Sequence, residues 1–148
     1  MKNRDNILEV KFPSKSINES LARSVVAAFL MRLDPTVSEI SDLKCAVSEA
    51  VTNSIVHGYR EKSGTVYMKL ESGADRVVQI EIRDKGLGID DIKEAMTPLF
   101  TTDLNGERSG MGFTVMETFC DKVRVVSRKG KGTKVVLIKK LSEKGSHT

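Results

Sequence analysis

Residues 77–84, VVQIEIRD, place apolar side chains at every second position and then carry that spacing on to an acid. Successive side chains of a strand point to opposite faces, so Val78, Ile80, Ile82 and Asp84 share one side. The pattern makes this segment a strand covered on one face, and it aims a carboxylate at the covering layer. Such a carboxylate is costly unless something there donates to it, and a bound ligand's donor is one such partner. The competing reading is an exposed acid opening an Asp-Gly type of turn. Two glycines follow in the spacing Asp84-x-Gly86-x-Gly88, and glycine lets backbone pass close to a ligand.

A helix supplies the second constraint. Thr36 followed by Glu39 has the form of a capping box, and the helical pattern then runs to His57 with Gly58 as its stop. Leu43, Val47, Ala50 and Ser54 form a small, mostly apolar stripe. Cys45, Glu49, Asn53 and His57 form the neighbouring row, each one turn from the next. Glu49 and Asn53, roughly 6 Å apart along the axis, offer oxygens suited to a hard cation such as Mg²⁺. His57 reads as a helix-end residue beside the last carbonyls. Upstream, residues 7–12 alternate as a strand stopped by Pro13. Ser16 and Glu19 then open a first helix with Leu21, Val25, Ala28, Phe29 and Leu33 recurring at helical spacing, ended by Asp34-Pro35.

Thr65–Glu71 reads as the strand before Val77, with Ser72–Asp75 as the turn between them. Residues 90–96 read as a short helical piece, and 97–110 as a long polar connection of the functional or mobile kind. A helix opening at Gly110-Met111-Gly112-Phe113 runs through Phe119, and a hairpin closes around Lys129–Gly132. This order predicts an α+β, two-layer domain whose sheet is mixed but mostly antiparallel, with helices on one face. The 148 residues suit a single domain, with an ordered core of about 7–140 and a disordered tail at 141–148. No apolar run spans a bilayer, and no secretory signal opens the chain. Cys45 and Cys120 lack metal or CxxC spacing, as expected of a reduced cytoplasmic protein. Between Lys122 and Lys144 nine Lys/Arg face one acid, Glu143, with no aromatic residue among them. These read as solvated strand edges, with no direct nucleic-acid partner and no membrane partner expected.

Neither a GxxxxGK[ST] loop nor a GxGxxG turn is present, so a nucleotide would need other architecture. Gly106-x-x-x-Gly110-x-Gly112 at a helix start is a plausible phosphate cradle, since helix N-termini favour anions. The segments SEAVTN (48–53), Asp84-x-Gly86-x-Gly88 and ERSGMGFTVME (107–117), in this order, resemble the N, G1 and G2 boxes of the GHKL ATP-binding superfamily. NESLAR (18–23), LDPT (33–36) and PLFTT (98–102) extend the likeness to its small serine-kinase branch, the anti-sigma factors, and most of all to the members found in sporulating bacteria. The resemblance implies a two-layer GHKL (Bergerat) fold that binds ATP and Mg²⁺. It implies that Asn53 holds the metal and that Asp84 accepts from the adenine amino group. Gly86 and Gly88 would pass close to the base, and Thr133 would lie near adenine. Thr101, Thr102, Gly110, Met111 and Gly112 are expected at the nucleotide. Glu49 is expected as general base, Arg108 as a cation reaching the γ-phosphate, and Arg23 as a partner contact.

The implied activity is that of a protein-serine kinase which also binds and blocks an RNA polymerase sigma factor of the sporulation type. Its substrate would be a serine of an anti-anti-sigma protein, partner choice would follow ATP or ADP, and the chain would form a homodimer through residues 7–12 and the first helix. The alternatives are a general-stress kinase of the same branch, a non-catalytic ATP-dependent sigma-binding module and a histidine-kinase catalytic fragment. Lys85 and Lys93 read as solvated, and Met96, Met111 and Met116 as packing residues.

Overall fold

The computed structural model describes residues 4–60, 62–88 and 112–143. In chain order it gives strand β1 (Arg4–Pro13), helix α1 (Asn18–Leu30), a 3₁₀ turn (Met31–Leu33), helix α2 (Val37–Thr52) and a π-helical turn (Asn53–Gly58). There follow β2 (Thr65–Gly73), β3 (Val77–Arg83), helix α3 (Gly112–Phe119), β4 (Lys122–Arg128) and β5 (Gly132–Lys140). The expected helical piece at 90–96, the connection at 97–110 and the segment 144–148 lie outside the described residues.

The sheet order is β1-β2-β3-β5-β4. All the ladders among the described residues are antiparallel, where the sequence had allowed a parallel component. The reason is topological. β3 and β4 run in the same direction, but the return strand β5 inserts between them. That insertion also carries the β4–β5 turn to the end of the sheet where β3 stops, beside Asp84.

Burial along β3 alternates as the sequence predicts, with Val78, Ile80 and Ile82 buried between half-buried neighbours. Val66, Met68 and Leu70 of β2 and Val135 and Leu137 of β5 join them under Val26, Phe29 and Leu30 of α1 and Leu43, Val47 and Val51 of α2. Each large apolar side chain buried in this way contributes about 1.5–3 kcal/mol. The opposite face is open and polar. There the Arg83 guanidinium lies 4.5 Å and the amine of the exposed Lys85 5.1 Å from the centre of the Tyr67 ring.

The Thr36–Glu39 capping box forms in both directions, with Glu39 N donating to Thr36 Oγ1 at 3.0 Å and Thr36 N donating to Glu39 Oε1 at 2.8 Å. The Ser16–Glu19 box does not form. Helix α1 begins after Ile17 without a side-chain cap, because the Glu19 carboxylate instead accepts from the Thr52 hydroxyl on α2. The buried face of α1 is also rotated from the expected one. Ala22, Val26, Phe29 and Leu30 are buried, while Leu21 is 47% exposed. A further correction concerns the tail, for the ordered chain runs past residue 140. Leu141 is buried and its N–H donates to Arg76 O at 2.9 Å, and Ser142 N donates to Glu39 Oε2 at 2.7 Å. Burial works to raise the Glu39 pKa, but hydrogen bonds from Thr36 and Ser142 outweigh it and hold the carboxyl below its ordinary range.

Candidate functional site

Strand parity delivers Asp84 to the helix side of the sheet, where it is 3% exposed. Its Oδ1 accepts from Gly86 N at 2.9 Å and from Thr133 N at 3.3 Å, and its own N–H donates to Thr133 O at 2.9 Å. Burial pushes the Asp84 pKa up, and donors from Gly86, Ser54 and Thr133 offset only part of that rise. The exposed-turn reading of this acid is therefore excluded. A carboxylate held so firmly in a low-dielectric setting is a fixed acceptor for a donor on a ligand.

The glycines explain how the loop after β3 is seated. A Cβ on Gly86 would lie 2.1 Å from Gly58 O, the atom that accepts from Leu87 N at 2.8 Å. Gly88, at φ +80°, passes so close to Arg128 that a Cβ would lie 2.2 Å from its carbonyl oxygen. The close approach at both positions is thus to protein backbone, the π turn on one side and the β4–β5 turn on the other. Gly130 N completes the wedge by donating to Leu87 O at 2.6 Å.

Helix α2 ends in that π turn, in which Tyr59 N donates back five residues to Ser54 O at 2.9 Å. Single π turns inside helices gather at functional sites. The wider turn brings Ser54 and Gly58 against Asp84, so that a Cβ on Gly58 would meet Asp84 Oδ2 at 2.9 Å. Asn53, His57, Gly58, Leu87, Gly88 and Thr133, with Arg60, line a small pocket at this junction. One turn back along α2, Glu49 Oε2 lies 3.4 Å from where a Gly112 Cβ would stand, so the N-terminus of α3 abuts this carboxylate. Arg23 sits half-buried on α1 and donates through Nη1 to Ser48 Oγ at 3.0 Å, next to Glu49 in sequence.

The structure therefore brings together Glu49, Asn53, Asp84, Gly86, Gly88, Gly112 and Thr133 at one end of the sheet. Thr101, Thr102, Arg108, Gly110 and Met111 lie outside the described residues. Sequence reasoning missed Ser54, Gly58 and Gly132 as parts of the site. Ser54 had been placed in the buried stripe, and its hydroxyl was the signal, since Asp84 needed a donor from the facing helix. Gly132, at φ +107°, would put a Cβ 2.2 Å from Asp84 O, and in sequence it had read only as a hairpin residue. A second groove, on the open face of β1–β3, is lined by Glu9, Lys11, Tyr67, Lys69, Glu81 and Arg83. Its charges of both signs lie among neutralising neighbours, such as Lys69 and Glu71 at 3.0 Å, and it has none of the glycine-bounded backbone found at Asp84.

The family model of the histidine kinase-like ATPase domain matches residues 12–139, and the chain belongs to that family. The chain is also similar to the anti-sigma F factor of Clostridium beijerinckii, with 57% identity over 139 residues, covering 93% of this chain and 96% of that protein. The anti-sigma F factor of a Thermoanaerobacter species is 56% identical over 134 residues, 90% of this chain and 93% of its own. Among solved structures, the RsbU and RsbW domains of Rv1364c from Mycobacterium tuberculosis match with a TM-score of 0.69 at 19% identity, over 97% of this chain and 34% of that longer one. The catalytic domain of the histidine kinase ThkA matches with a TM-score of 0.57 at 14% identity, over 90% of this chain and 96% of its own. At these identities the two structures establish the shared fold.

Proposed function

We propose that this chain is an anti-sigma factor of the sigma F type and a protein-serine kinase. On this reading it binds and blocks an RNA polymerase sigma factor, and it uses Mg-ATP to phosphorylate a serine of an anti-anti-sigma protein. The observation that carries the proposal is the buried Asp84 acceptor, fixed by Gly86, Thr133 and Ser54 beside the pocket that includes Asn53. More than half of the sequence is shared with anti-sigma F factors over nearly the whole chain, which supports the sigma-binding half.

Each role has a physical rationale. Asp84 accepts from the adenine amino group, and Thr133 lies beside it. Phosphoryl transfer depends mostly on positioning and on neutralising charge at the transferring group. Glu49, one turn from Asn53, is placed to accept the proton of an attacking serine hydroxyl. Arg108, outside the described residues, is assigned to the γ-phosphate, where a guanidinium donates bidentately. Among the described residues no three His, Cys, Asp or Glu side chains gather to cage a metal. Asn53 as a single protein ligand fits Mg²⁺, which keeps its waters and binds largely through phosphate oxygens; when bound it would neutralise charge on the triphosphate.

A homodimer is also proposed. Ile7 (52% exposed) and Leu8 (37%) put apolar side chains on both faces of the edge strand β1, Ile17 (78%) and Leu21 (47%) are exposed at α1, and among the described residues β1 has a neighbouring strand on one side alone. Among the described residues no helix is long and apolar enough to cross a membrane, and the proposed setting is the cytoplasm.

The test is to incubate the chain with labelled ATP and a candidate anti-anti-sigma protein, then to size its complexes with sigma factor and antagonist under ATP and under ADP. Phosphoserine on the antagonist and a nucleotide-dependent change of partner are expected. Label on a histidine, or no label with intact sigma binding, would replace the kinase reading by the corresponding rival.

A further inference from the structure

Ser48 and Thr52 each stand one residue before a proposed site residue, Glu49 and Asn53, and each is held from α1. Arg23 Nη1 donates to Ser48 Oγ at 3.0 Å, and the Thr52 hydroxyl donates to Glu19 Oε1. Glu19 and Arg23 are four apart on α1, and Ser48 and Thr52 are four apart on α2. The pairing 19 with 52 and 23 with 48 therefore makes two rungs between helices that run antiparallel. Thr52 is 4% exposed, so its rung lies inside the helix layer.

We infer that Glu19, Arg23, Ser48 and Thr52 are positioning residues, which fix the rotation of α2 about its axis and so set where Glu49 and Asn53 point. The apolar contacts of α2 define its depth over the sheet, but the hydrophobic effect is non-directional and by itself specifies a roll of a few degrees less sharply. Directional hydrogen bonds one turn apart do resist it. The row they grip lies about 100° around the helix from the row carrying Glu49 and Asn53. At a side-chain radius of roughly 5–6 Å, a roll of about 10° moves a terminal atom by about 1 Å. A displacement of that size at a reacting group costs on the order of 10²-fold in rate. The arrangement also accounts for the missing cap of α1, since Glu19 serves α2 in place of its own helix end. By contrast, Asp84 takes both of its backbone bonds from Gly86 and Thr133, which lie outside the helix layer, so a roll of α2 reaches that carboxylate only through Ser54 and the π turn.

This inference rests on the kinase reading of the site, and its test separates the two. Thr52→Val removes the hydroxyl at nearly constant shape, Thr52→Ser keeps it, and Ser48→Ala opens the other rung. The measurements are the transfer rate to the antagonist, Mg²⁺-dependent ATP affinity, adenosine affinity without metal, and the apo melting temperature. Thr52→Val and Ser48→Ala should each lose about tenfold or more in transfer rate and weaken Mg²⁺-dependent ATP binding. Adenosine affinity should stay within about twofold, and Thr52→Ser should behave as wild type. Unchanged transfer in both variants would overturn the inference, as would loss of adenosine affinity in step with transfer, or failure of Thr52→Ser to preserve activity. Should Thr52→Val not fold, Ser48→Ala at its half-buried position carries the test. A wild-type protein that neither binds Mg-ATP nor transfers phosphate would instead refute the kinase reading itself.

Discussion

Replacing Asp84 by asparagine separates ligand recognition from folding, because the two carboxylate oxygens have different surroundings. Both backbone donors converge on Oδ1, Gly86 N at 2.9 Å and Thr133 N at 3.3 Å, so an amide oxygen in that position keeps both bonds. The change falls on Oδ2, which becomes a donor in place of an acceptor, and the Ser54 hydroxyl beside the carboxyl can turn to accept as well as donate. A hydrogen bond to a charged group contributes about 1.5–3 kcal/mol, so adenine nucleotides should bind Asp84→Asn about 10- to 150-fold more weakly. A 6-oxo purine nucleotide should suffer no such loss, since its oxygen can accept from the new amide. The apo protein should respond in the opposite sense. Burial raises the Asp84 pKa, so the charged form is disfavoured in the fold, and a neutral amide avoids that cost. The sign follows from linkage. Between the ordinary carboxylate pKa and the raised folded value, the native state keeps a proton that the unfolded chain has lost. Wild-type stability therefore falls as pH rises through that window, and Asp84→Asn should flatten the dependence. Calorimetry with adenine and 6-oxo nucleotides, and apo melts across that pH range, measure both effects. Adenine binding within twofold of wild type, or an apo variant less stable than wild type at neutral pH, would refute the reasoning.

Glu49→Gln should leave ATP affinity within a fewfold of wild type while abolishing transfer to the antagonist; parallel loss in calorimetry and transfer assays would mark Glu49 as a metal ligand or a structural group. Gly86→Ala should destabilise the fold by about 1–3 kcal/mol, because the new methyl overlaps the Gly58 carbonyl and backbone must shift, and an unchanged urea midpoint would contradict that seating. Thr36→Ala removes one half of the capping box and should cost about 1 kcal/mol by urea titration. The Glu39 pKa is lowered, so its contribution is present above the ordinary carboxylate range and is lost as pH falls through the folded value. Thr36→Ala should therefore also reduce the loss of stability on the acid side.

Local rules carried the sequence reading far. Alternation over residues 77–84 located the buried face of β3 and put Asp84 on it, because strand parity depends only on counting along one segment. Four-residue spacing put Glu49 on α2 and Asn53 at its C-terminal cap on one row, and Thr36 with Glu39 marked the start of that helix, since capping is satisfied within a single turn. Where two segments competed for the same group, that reasoning failed. Glu19 had a local use as a helix cap, and the tertiary structure gave it to Thr52. Leu21 fitted the helical period of α1, yet the roll of that helix on its neighbours buried Ala22 and Val26 instead. The order of the strands, the π turn that brings Ser54 to Asp84, and the wedging of Gly86 and Gly88 between two backbone segments depend on residues far apart in the chain. Periodicity and capping are properties of neighbours, so the sequence by itself determined which groups this protein presents. Directional bonds and steric contacts between distant segments act only after the layers pack, so only the tertiary structure decided how those groups meet.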